Sequence, residues 1–216
     1  MDRLMVLGKS RSGTTITQTI LNSHPDIQIF NEQHIYTNVS NIDEVVKRER
    51  KLYNKKSLWF GDKQGMMSID TFKLLLPLNI KHIFIYRDGR DVVSSGIRLG
   101  QRGGVNKAWK TPDQRANSKG WAHAFRLWDK IKEMLPPDNW CEIRFEDYLE
   151  YPGKNATIIA EFLDIDVDKM ITCERSFIKP KKSHRGYHSE WCPDWKNTFH
   201  PDAIELLKTL EYVEEV

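Results

Sequence analysis

Two stretches of this chain combine residue types that could hold an anion and work on it. The first reads Gly8-Lys9-Ser10-Arg11-Ser12-Gly13-Thr14-Thr15, between an apolar run, Leu4 to Leu7, and the segment Ile16 to Leu21. A strand that enters a glycine-bracketed loop, which then opens a helix, aims successive backbone N–H groups and the positive end of the helix dipole at one anion. Gly8 and Gly13 have the spacing of a nucleotide-hydrolysing phosphate loop, yet Thr14 stands where that loop carries its lysine. The anion is therefore expected here without the lysine that grips a γ-phosphate. The second stretch is Ile83-Phe84-Ile85-Tyr86-Arg87, with Ser95 eight residues further on. A buried strand ending in arginine presents a planar fork that pairs bidentately with phosphate, and ligands of open α/β sheets bind at the carboxyl ends of strands. Ser95, about two turns into the next helix, can add a hydroxyl. The plainer alternative for Arg87 is an ion pair with Asp88 or Asp91.

The elements that must position these groups follow from periodicity and from glycine and proline punctuation. Strands are expected at Leu4 to Leu7, Ile27 to Phe30, Ser57 to Gly61, Ile80 to Tyr86 and Trp140 to Phe145. Helices are expected over the segment after Gly13, Asp43 to Tyr53, Ser68 to Leu76, Asp91 to Leu99, the Trp121 to Leu135 repeat, Tyr151 to Leu163, and Pro201 to Leu210. The run Lys47 to Lys51 reads as a solvated helix face. Gln101 to Lys119 and Lys179 to Pro193 have no periodicity; the first is the expected acceptor-side loop or lid. Strands alternating with helices give an α/β domain of three layers, a central and mainly parallel sheet flanked by helices, with the whole of residues 1–216 as one domain.

Composition excludes several classes. A net charge of +3 is too small for a nucleic-acid binder, so any anion site must be built locally. No apolar run has transmembrane length, so no membrane span is expected. Three cysteines, an odd number without a CxxC pair, suit a reducing compartment, and a cytoplasmic monomer or homodimer is the expectation. His184, His188 and Cys192 recur every four residues, a spacing that lines metal ligands along a helix. Gly186 and Pro193 argue against a helix there, so no metal is expected.

The Arg11-Ser12-Gly13-Thr14-Thr15 core resembles the 5′-phosphosulfate loop of sulfotransferases that use 3′-phosphoadenosine 5′-phosphosulfate (PAPS), and Arg87 with Ser95 resembles their 3′-phosphate segment. Asn31-Glu32-Gln33 follows the second strand where these enzymes carry a glutamate base. Phe60-Gly61-Asp62-Lys63 is similar to the segment supplying a catalytic lysine in tyrosylprotein and other Golgi-type members. Arg144-Phe145-Glu146-Asp147-Tyr148 resembles an Arg-Tyr-Glu-Asp-Leu segment of the bacterial branch. Asp194-Trp195-Lys196-Asn197 resembles a Gly-Asp-Trp-Lys-Asn motif near the nucleotide, with a longer spacing from Arg185-Gly186 than the family pattern has.

The resemblance implies sulfuryl transfer from PAPS to a hydroxyl acceptor, small molecule, carbohydrate or peptide, leaving 3′-phosphoadenosine 5′-phosphate (PAP). It implies Glu32, Lys63 and Arg11 as catalytic groups. The implied nucleotide ligands are Arg11, Ser12, Gly13, Thr14, Thr15, Arg87, Ser95, Arg185 and Lys196. His34 is the rival base and Lys9 the rival of Arg11. A phosphoryl-transferring kinase remains the competing enzyme class, against which stand Thr14 at the lysine position and Arg87 ahead of the only candidate metal-binding aspartate, Asp88. A nucleotide-binding module without turnover is the non-enzyme alternative.

Overall fold

The computed structural model describes residues 2–53, 56–101, 113–178 and 192–213. Five strands form one parallel sheet: β1 (Asp2–Gly8), β2 (Ile27–Asn31), β3 (Trp59–Gln64), β4 (Lys81–Tyr86) and β5 (Trp140–Arg144) lie in the order β2-β3-β1-β4-β5. The register sets Val6 beside Lys63 on one side and beside Ile83 on the other, so β1 is central. All strands run the same way, and all carboxyl ends therefore open on one edge.

The helices are α1 (Thr14–Asn22), α2 (Ile42–Leu52), α3 (Ile69–Leu75), α4 (Gly89–Gln101), α5 (Gln114–Lys132), α6 (Asp147–Glu150), α7 (Lys154–Leu163), α8 (Val167–Phe177), α9 (Trp195–Thr198) and α10 (Pro201–Thr209). Period-two alternation sorts the sheet into two cores. Leu4, Val6, Ile83, Ile85 and Ile143 pack against α1, α7 and α8 through Ile20, Leu21, Ile159, Leu163 and Met170. Met5, Leu7, Phe60 and Phe84 face α3, α4, α5 and α10 through Phe72, Val93, Trp128 and Leu207. Phe84 stacks on Trp128 with ring centroids 4.8 Å apart. This is the expected three-layer arrangement, and burial on both faces explains the unbroken apolar runs of β1 and β4.

Several boundaries differ from the sequence reading. The expected loop 101–119 is shorter: α4 runs through Gln101, and α5 begins at Gln114, where the Asp113 side chain caps it by accepting from Ala116 N–H at 2.9 Å. The first turns of α5 bury only Ser118, so no apolar periodicity marked them. Residues 102–112 lie outside the described residues. β3 extends past Gly61 to Gln64, because Asp62, Lys63 and Gln64 are all buried despite their polarity.

The helix expected over Tyr151 to Leu163 is present as α7 and begins three residues later, at Lys154. Pro152-Gly153 separates α6 from α7, with Gly153 at φ 95°. Helix α8 went unread; its buried Glu174 caps α7 from outside by accepting from Gly153 N–H at 2.6 Å and Ala156 N–H at 3.0 Å. The Lys47–Lys51 run is not simply solvated, since Glu49 is buried and accepts from Arg3 Nε at 2.7 Å and from Tyr36 Oη at 3.3 Å.

Candidate active site

At the end of β1 the chain passes close under β4. A side chain at Gly8 would bring its Cβ to 2.5 Å from the Ile85 carbonyl oxygen, so only glycine fits. The loop then closes on itself, with Ser12 N–H donating to Lys9 C=O at 3.0 Å. Gly13 caps α1 at φ 103°, a conformation that favours glycine, and a Cβ there would run into the Phe145 ring. Among the described residues no side chain caps the nine-residue α1, and no acidic residue lies in its first turn. The leading N–H groups of the helix thus face the loop without an acidic competitor, as an anion requires.

Arg11 is left-handed at φ 79°, and its Nε donates to Ser95 Oγ at 3.1 Å. A candidate from the loop after β1 and a candidate from the helix after β4 are thereby in direct contact. Burial, followed by the like charges of Arg87 and Arg98, lowers the Arg11 pKa from its usual value. Guanidinium groups crowd together at this edge, which an anion would relieve. Lys9 turns to α5, where its Nζ would lie 3.1 Å from a Cβ at Gly120, and burial pushes its pKa down.

Arg87 follows β4 and is 8% exposed. The anticipated ion pair with Asp91 exists, Nη2 to Oδ2 at 3.1 Å. It satisfies one side of the fork only: Arg87 Nε is buried without a hydrogen-bond partner among the described residues. Buried charged donors do not stay unpaired without reason, and a phosphate oxygen is the acceptor that suits a guanidinium edge. Phe145 lies 4.5 Å from the guanidinium carbon, and Trp121 Nε1 donates to the Arg87 carbonyl at 3.2 Å. Trp121 is fully buried under Gly89, which makes it a support of this turn and not a surface for stacking a base. Glu146 holds the next residue, accepting from Asp88 N–H at 2.9 Å and from Tyr212 Oη at 3.0 Å.

Glu32 leaves β2 at φ 54°, its N–H bonded to the Lys63 carbonyl at 3.1 Å. Its side chain is 57% exposed, and Oε1 accepts from Lys63 Nζ at 2.6 Å. The Lys63 side chain is only 5% exposed, one strand from β1 and its loop. Geometry thus joins Glu32 to Lys63 and Arg11 to Ser95 on one sheet edge. His34 is exposed and bonded through Nδ1 to Thr37 Oγ1 at 2.9 Å. Lys196 is exposed on α9 with Nζ 5.9 Å from the Trp195 ring centroid, and no contact among the described residues joins it to the Arg11–Arg87 group. Arg185, His184 and His188 lie outside the described residues.

A family model described as "Sulfotransferase domain" matches residues 1–210. The chain belongs to the sulfotransferase family. Protein-tyrosine sulfotransferase A of Caenorhabditis elegans is 23% identical over 198 residues, covering 78% of this chain and 51% of that protein. This sulfotransferase thus spans about half the length of the curated relative it matches. Among solved structures, the sulfotransferase domain from the curacin biosynthetic pathway is 15% identical with a TM-score of 0.67, each chain covered to 99%. Mouse sulfotransferase SULT7A1, complexed with PAP, is 19% identical with a TM-score of 0.61, over 97% of this chain and 82% of that one. These likenesses bear on the fold: the parallel sheet flanked by helices is the sulfotransferase architecture.

Two residues beside these groups carry no expectation from the sequence. Arg98 lies three residues from Ser95 on α4, and that helical spacing is the signal that could have found it. Asp62 sat in the quoted Phe60-Gly61-Asp62-Lys63 segment with no task assigned.

Proposed function

We propose that this sulfotransferase moves a sulfuryl group from PAPS to a hydroxyl acceptor by in-line displacement, releasing PAP. The observation that carries the reading is the buried Arg87 Nε, without a hydrogen-bond partner among the described residues, beside the crowded Arg11 and Arg98 charges at the carboxyl edge of a parallel sheet. Arg87 and Ser95 would hold the 3′-phosphate. Ser12 to Thr15 and the first turn of α1 would hold the 5′-phosphate, chiefly through the N–H groups at the head of α1, since Ser12 N–H already donates to Lys9 C=O. Arg185 and Lys196 join them only through the resemblance of their motif.

Glu32 accepts the hydroxyl proton as the acceptor oxygen forms its bond to sulfur. The bond from sulfur to the bridging oxygen breaks, and the negative charge that collects on that oxygen is met by Arg11 and Lys63. Lys63 Nζ already holds Glu32 Oε1, which leaves Oε2 to take the proton. One ammonium group can thus face both the base and the leaving group, and no metal is needed to neutralise it in this reading. Three free thiols, Cys141, Cys173 and Cys192, support a reducing, cytoplasmic setting. Among the described residues no helix is long and apolar enough to cross a membrane.

The test is incubation with PAPS and a panel comprising a tyrosine peptide, a phenol, a sugar and a small alcohol. Mass spectrometry should find one sulfated product and stoichiometric PAP. Transfer of phosphate from ATP with Mg²⁺ would move the chain to the kinase class. Tight PAP binding without transfer to any member would make it a binding module.

A further inference from the structure

We infer that Asp62 is a positioning residue for Glu32, an inference that rests on the reading of Glu32 as the base. Asp62 lies on β3 and is fully buried. A buried carboxylate is tolerated when donors satisfy it, and those that satisfy Asp62 belong mainly to the loop after β2. Oδ1 accepts from Gln33 N–H at 3.2 Å, and Oδ2 accepts from Ile35 N–H at 3.1 Å and from Gln64 Nε2. Glu32 and His34, which alternate with those donors, are left-handed at φ 54° and 56°. A left-handed residue other than glycine is disfavoured by roughly 1–2 kcal/mol. Two in three positions persist only where the surroundings impose them.

The tethers come from both sides. Asp62 takes the N–H groups of residues 33 and 35 from beneath. Arg48 of α2 donates from outside to the carbonyls of His34, Thr37 and Asn38. The pleat places Asp62 and Gln64 on one face of β3 and Lys63 on the other. A single strand therefore supplies the lysine that contacts Glu32 and, one residue earlier, the carboxylate that sets the backbone carrying Glu32. Asp62 touches neither donor nor acceptor in this account. It acts through the direction in which Glu32 leaves the sheet.

The experiment is a double-mutant cycle on the full chain, read as PAP released from PAPS with the best acceptor of the panel, or with water. Asp62→Asn should lower kcat roughly ten- to a hundredfold, the penalty of a misplaced catalytic group. PAP affinity by calorimetry should stay within about twofold, and the loss in kcat should vanish when Glu32→Gln is already present. Gln64→Leu removes one donor but leaves the carboxylate. It should show a smaller loss with the same dependence on Glu32, and it serves if Asp62→Asn does not fold. Equal losses with and without Glu32→Gln, or PAP affinity falling in step with kcat, would overturn the inference alone. A full rate for Glu32→Gln by itself would remove the base assignment and this inference with it.

Discussion

The proposed donor half of the candidate site and its proposed base half are built by different means. In the donor half, backbone conformation does the positioning. Gly8 permits the close pass under Ile85, Gly13 adopts its positive φ, and strand ends deliver Arg87 to the edge. In the base half, a loop of ordinary residues takes left-handed conformations at Glu32, His34 and Asn38, and distant charges hold it there. Asp62 is 29 residues from Gln33, and Arg48 is 14 residues from His34. A binding cradle made of local geometry is announced by its own sequence. A loop whose shape depends on remote side chains does not announce that shape in its own residues, and Glu32 stands out in the sequence only through the family resemblance.

The largest expected break in this comparison is functional. Glu32→Gln should lower turnover by roughly 10²–10⁴ with PAP affinity nearly unchanged, because a general base acts on the acceptor proton. His34→Ala, whose ring bonds to Thr37, should do far less; steady-state kinetics beside calorimetry reads both. Next comes Gly13→Ala, which should strike the donor half through the fold. It forces a Cβ into the Phe145 ring at positive φ, and thermal unfolding should report a loss of roughly 1–3 kcal/mol together with weakened PAP binding.

A third effect, absent at neutral pH and without bearing on binding, lies away from both halves. His82 is buried and its pKa is pushed down to about 4, chiefly by desolvation. Between pH 6.5 and 4 the unfolded chain binds a proton that the folded chain refuses, so this residue makes stability fall as pH falls. His82→Gln should flatten that slope relative to the parent by an amount on the order of 2–3 kcal/mol at pH 4, measured by denaturant titration at several pH values. Smallest of all is the response to EDTA. With Thr14 in place of the loop lysine and Arg87 directly after β4, turnover should be unchanged by chelation.

Much of the fold was legible because β1 and β4 are buried on both faces and read as apolar runs, and because Pro25, Pro77 and Pro201 punctuate the elements. The carboxyl half of β3 was not legible, since its buried residues Asp62, Lys63 and Gln64 are polar: Asp62 and Lys63 bond to the loop after β2, and Gln64 bonds to Asp62. Helix α8 has an Asp166 cap and an apolar Val167, Met170 and Ile171, but its buried Glu174 interrupts that stripe and serves α7 through a tertiary contact that no local pattern shows. In the site, the glycine spacing and the Arg87–Ser95 interval could be read directly. The Arg11–Ser95 bond joins residues 84 apart, so the chain's folding had to be known before the two segments proposed to hold the nucleotide could be placed in contact.

The central claim is that the Arg87 edge was built for a 3′-phosphate, and calorimetry of PAP against AMP tests it most directly. A charge-assisted hydrogen bond contributes roughly 1.5–3 kcal/mol, so PAP should bind about ten- to a hundredfold more tightly than AMP, and Arg87→Ala should erase most of that preference. Equal affinity for PAP and AMP, or a preference untouched by Arg87→Ala, would contradict it.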